Sequence, residues 1–169
     1  MQVNRPWLKS VTPVAPPRDA NPTWRTLLYA AAVTGVWAGL FCWAIYGIGR
    51  LAGVPFLVVL QRGQPPEPLA WFMPLVLPIG GALAGAIATG AVLGRRRARV
   101  IVLTAGLMVA LVSLVLPLLQ PSTIDWPTKV LLAVMHLVAW FVIVPQLARI
   151  AGDSQPNASE ARELRLGLT

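Results

Sequence analysis

The sequence predicts an all-α protein, a compact four-helix transmembrane bundle with both termini inside and a long first outer loop. Three observations carry this prediction. Four apolar stretches reach the roughly 20 residues that a helix needs to cross about 30 Å of hydrocarbon. Of the 169 residues, 56% are apolar and 12% charged, against roughly 45–50% and 25% in a soluble domain. The 14 basic residues gather at the ends of the apolar stretches, so the net charge of +8 reads as topology and predicts no nucleic-acid partner.

The elements follow in chain order. Met1–Pro22 holds Pro6, Pro13, Pro16, Pro17 and Pro22 without apolar periodicity. Proline fixes φ and lacks an amide donor, so residues 1–23 are expected to form an extended or disordered cytoplasmic tail. The membrane domain covers residues 24–151 and opens with a span from about Trp24 to Gly49. This run is too long for a signal-peptide core and is expected to stay as a signal anchor. The loop Arg50 to Pro68 contains the apolar piece Val54–Leu60, too short to span. That piece is expected at the interface or as an extended segment over the outer bundle end, with a re-entrant pore loop as the sharper alternative. The second span, Leu69 to Gly94, ends in the turn Arg95-Arg96-Arg97-Ala98-Arg99. Val100 to Leu119 and Thr128 to Ala151 are the third and fourth spans, and residues 152–169 form a second cytoplasmic tail.

Orientation rests on the bias of Lys and Arg among the short loops. The N-terminal side, the 2–3 turn and the C-terminal side carry eleven of them, while the opposite face carries only Arg50, Arg62 and Lys129. The chain is therefore expected in the inner (cytoplasmic) membrane as a multi-pass protein with both ends cytoplasmic. Arg95, Arg96, Arg97 and Arg99 are expected to meet anionic head groups there. Trp24 at the inner interface and Tyr46, Trp71 and Trp126 near the outer one read as interfacial anchors.

Small residues mark where helices can approach in lipid. Ala82, Ala86, Gly90 and Gly94 recur at every fourth position of the second span, and Ala31, Gly35 and Gly39 form a stripe on the first. These faces predict close packing of helices one and two, and a homodimer would use the same chemistry. Pro117 in the third span frees the carbonyl of Ser113. An antiparallel hairpin with ends near Leu119 and Thr128 places Ser113 level with His136, the only histidine and the only ionisable residue well inside a span. His136 is expected to donate to the Ser113 carbonyl or exchange a hydrogen bond with its hydroxyl. The preferred role is a structural pin, with a proton relay or ligand contact as the functional alternative.

Enzyme templates fail on distance and ligand count. Asp125 precedes His136 by eleven residues, about 16 Å along a helix at about 1.5 Å per residue, so no triad with Ser113 can close. One histidine and one cysteine (Cys42) cannot supply a haem or zinc site, so no cofactor is expected. Asp125 and Lys129, four apart, are expected to pair at the outer interface.

The string Thr128 to Val138 with Pro145 downstream, Ser113 and Pro117 before it, and the Gly-rich second span ending in an Arg turn together resemble an uncharacterised family of four-helix membrane proteins found in actinobacteria. The resemblance covers roughly Thr26 to Ile150. It implies a four-helix inner-membrane protein with no assigned reaction, and Ser113, Pro117, Lys129 and His136 as signature positions. Two function classes remain: a non-enzymatic scaffold or accessory subunit that recognises lipid, another membrane protein or itself, and a small oligomeric transporter or channel with a polar path near His136.

Overall fold

The computed structural model describes residues 22–59 and 63–154. Residues 1–21 of the proline-rich tail, 60–62 of the first loop and 155–169 of the C-terminal tail lie outside the described residues. The described residues are helical apart from loops and one short ribbon: α1 (Trp24–Leu51), β1 (Leu57–Val58), β2 (Glu67–Pro68), α2 (Met73–Gly90), α3 (Ala98–Leu118) and α4 (Trp126–Asp153). All four helices are long and apolar enough to cross a membrane.

Local chemistry sets the helix ends. The second span begins later than its apolar run, because Leu69 is held outside the helix. Its N–H donates to the Phe56 carbonyl at 2.9 Å, and its carbonyl accepts from the Tyr46 hydroxyl at 3.2 Å. The helix starts at Met73 with Pro74 in its first turn, where a missing N–H costs nothing. Past Gly90 the chain turns, and Gly94 takes φ +74°, a left-handed conformation that costs glycine little. Asp125 caps α4, its carboxylate accepting from the Thr128 N–H at 3.2 Å, and Pro127 sits in the first turn.

The packing order around the molecule is α2–α1–α4–α3. The α1–α2, α1–α4 and α3–α4 pairs pack along their lengths, α2 meets α4 more lightly, and α2 and α3 hardly touch. The expectation of a compact bundle is corrected on this edge. Both termini of the described chain and the α2–α3 turn lie at one end: Trp24 covers Gly90 and Arg99 packs on Gly152, while the Gly94 N–H donates to Ser154 Oγ at 3.0 Å.

The first loop closes the opposite end as an extended segment. β1 and β2 pair antiparallel, Leu57 opposite Pro68 and Val58 opposite Glu67. Phe56 is fully buried and its ring lies against Tyr46 with centroids 4.7 Å apart. It accepts φ +50°, a cost of roughly 1–2 kcal/mol for a non-glycine residue, which burial of the ring offsets. Gln120 fastens the segment: its Oε1 accepts from the Val59 N–H at 3.0 Å and its Nε2 donates to the Val59 carbonyl at 3.3 Å.

Candidate functional site

The weak α2–α3 edge encloses a cavity of about 530 Å³, walled by α2 and α3 and floored by α4. It opens sideways between the two helices, with Gly81, Ala88, Ala105 and Val109 exposed on its rim. Its origin lies in how each wall spends its packing face. α2 turns Ala82 and Ala86, both fully buried, to the core and leaves Gly81 and Gly85 toward the cleft. α3 packs its stripe Ala98, Val102, Gly106 and Ala110 on α4, and a Cβ at Gly106 would meet Val144. Short residues (Gly81, Gly85, Ala88, Ala105 and Gly106) stand on both walls, beside the larger Leu77 and Ile101.

His136 and Ser113 both line this cavity, but the bond expected between them is replaced by bonds within their own helices. His136 Nδ1 lies 2.7 Å from the Leu132 carbonyl one turn back. A carbonyl only accepts, so Nδ1 is the donor in this bond. In the tautomer with its single proton on Nδ1, the ring offers Nε2 as an acceptor and cannot use it to donate to the carbonyl freed by Pro117. Ser113 Oγ donates to the Ala110 carbonyl at 2.9 Å, the back-bond that serines make inside helices. One turn past His136 on α4, Trp140 also lines the cavity, its indole N–H buried without a hydrogen-bond partner.

The expected Asp125–Lys129 pair is likewise corrected. Asp125 caps the helix through Oδ2 and keeps Oδ1 buried without a hydrogen-bond partner, while Lys129 Nζ reaches the Gln120 carbonyl at 2.7 Å and stands 5.6 Å from the Trp126 ring centroid. Lys129 is buried, and the loop carbonyl of Gln120 satisfies its ammonium there in place of the Asp125 carboxylate. Tyr46, near the end of α1, is half-buried beneath the ribbon and donates its hydroxyl to the Leu69 carbonyl.

The small-residue stripes meet one another along the α1–α2 seam. A Cβ on Gly35 would lie 3.0 Å from the Ala82 Cβ, and one on Gly39 would strike the Leu75 backbone. Ala31 is fully buried in the same core. Gly90 makes room for the Trp24 ring, whereas Gly94 lies in the turn with open space around it and takes no part in the stripe. Arg95, Arg96, Arg97 and Arg99 are exposed. Among the described residues no group of three or more His, Cys, Asp or Glu could hold a metal ion.

Three contributors escape sequence reasoning. Gln120 is a loop residue with no periodicity to flag it. Gly49 is needed because the Phe56 ring and Leu131 occupy the space of its absent side chain. The α3 stripe from Ala98 to Ala110 was readable from its four-residue spacing.

No curated protein and no solved structure matches the chain. A family of unknown function, DUF6069, matches residues 18–153, which includes all four helices and the cleft. The chain belongs to that family.

Proposed function

We propose that the protein is a non-enzymatic accessory or scaffold protein of the cell's inner membrane, and that its working surface is the α2–α3 cleft, which holds one lipid chain. The shape of the cleft carries this reading. Its α3 lining runs from Ile101 to Ser113 and its α4 lining from Leu132 to Leu147, about 18–22 Å at about 1.5 Å per residue. A volume of about 530 Å³ over that length, measured for the centre of a water molecule, corresponds to a slot about 8–9 Å across between wall surfaces. A helix with its side chains is about 10–12 Å across. An extended chain fits inside and a helix does not.

In this reading the basic end faces the cytoplasm with both termini, by the Lys and Arg bias of the loops, and the exposed Arg95, Arg96, Arg97 and Arg99 contact anionic head groups. Twelve arginines against two lysines suit the high-GC actinobacterial origin that the resemblance suggests. The alternative is a small oligomeric transporter or channel with a polar path near His136.

The test is native mass spectrometry of protein taken from its own membrane in mild detergent. Wild type is expected to retain one lipid per chain. Gly81→Leu, at a position with open space around it, is expected to fold and lose that lipid. Unchanged retention by this variant refutes the cleft as the site. A stoichiometric protein that crosslinks to Gly81→Cys would replace the lipid with a partner helix. Solute or proton flux in proteoliposomes, abolished by His136 substitution, would favour the transporter.

A further inference from the structure

We propose that the cleft selects a neutral long-chain alcohol, whose hydroxyl donates a hydrogen bond to Nε2 of His136; this rests on the reading of the cleft as a lipid site. Three features select that chemistry. The first is depth: His136 lies ten residues from Trp126 and seventeen from Asp153 in α4, about 15 and 26 Å from the helix ends at about 1.5 Å per residue. The phosphate and ester groups of a phospholipid sit at the interface, so they cannot reach it without dragging charge into hydrocarbon. The second is the absence of charge, because the cavity lining holds no Asp, Glu, Lys or Arg, and an ionised head group would stay unpaired at that depth. The third is polarity of the wall. His136 Nδ1 has its proton committed to Leu132 and Ser113 Oγ has its own committed to Ala110. Nε2 and the serine lone pairs are left as acceptors, and the Trp140 indole N–H on the same wall is a buried donor without a partner. A hydroxyl is the smallest neutral group that can both donate to the first and accept from the second. An ether or ester oxygen can only accept.

The experiment uses the untagged full chain in lipid nanodiscs, labelled with ¹⁵N-histidine, titrated with geranylgeraniol and with its methyl ether. The chain has one histidine, so the imidazole spectrum belongs to His136 alone. The Nε2 resonance is expected to move with the alcohol and stay fixed with the ether. The alcohol is expected to bind roughly threefold to tenfold tighter, the size of one net hydrogen bond. His136→Leu is expected to erase that preference while leaving ether affinity unchanged. If both ligands bind equally with Nε2 unmoved, the alcohol assignment falls and the lipid cleft stands. If neither binds, both fall. A spectrum with the proton on Nε2 also overturns the assignment, and it needs no variant to fold.

Discussion

Gly39→Ala tests the α1–α2 seam at its tightest point. A Cβ there would strike the carbonyl oxygen of Leu75 and approach its carbonyl carbon and Cδ1 at 3.2 Å. Two of these obstacles are backbone, so no rotamer change relieves them and α2 must shift away from α1. Overpacking of this kind costs roughly 1–3 kcal/mol, and a backbone obstacle puts the value near the upper end. Against it stands the helix preference of alanine over glycine, at most about 1 kcal/mol. The net expectation is a loss of about 1–2 kcal/mol, roughly a 5- to 30-fold rise in the unfolding constant. Gly47→Ala is the control on the same helix, since nothing lies within 4 Å of the added carbon; only the propensity gain remains, so it should be neutral or stabilising. SDS titration of the folded protein in mixed micelles reads both. If the two variants shift the transition in the same direction by the same amount, close backbone approach is not what holds α1 to α2.

Asp125→Ala removes the α4 cap and is expected to cost about 1 kcal/mol in the same titration, whereas Asp125→Asn keeps most of it. Gln120→Leu deletes both bonds to Val59 and is expected to speed hydrogen exchange at the Val59 amide by roughly 5- to 100-fold, with the helices unaffected. A C-terminal fusion to green fluorescent protein is expected to fluoresce and one to alkaline phosphatase to be inactive. The reverse pattern would invert the topology proposed from the loops.

The four helices were legible because length and apolarity alone decide whether a segment can span. No such rule decides which partner a polar side chain chooses. His136 and Ser113 line one cleft, yet each finds a carbonyl on its own helix; Asp125 and Lys129 stand four residues apart at the start of α4, yet a cap and a loop carbonyl intercept them. In both cases the near competitor is backbone, present at every position and invisible in residue identity. Gly94 failed differently: a four-residue spacing continued on paper beyond the point where the helix ended. The stop at Gly90 is set by a turn that also binds Ser154, a contact sixty residues away in sequence.

The open α2–α3 edge follows from the solvent in which the chain works. In water the apolar lining of this open cleft would be wetted, and closing the edge would gain roughly 25 cal/mol for each Å² removed from solvent. Water would close the edge to recover that energy. Lipid tails are as apolar as the side chains they meet, so a bilayer gives α2 and α3 no such reason to close. Their approach would depend on interlocking side chains, and the facing walls carry Gly81, Gly85 and Ala105. Each helix already has a better partner in its other face, α2 in α1 and α3 in α4. The short Arg turn therefore joins two helices that have little to gain from contact with each other, which is why the proposed function has a lipid chain occupy the gap between them.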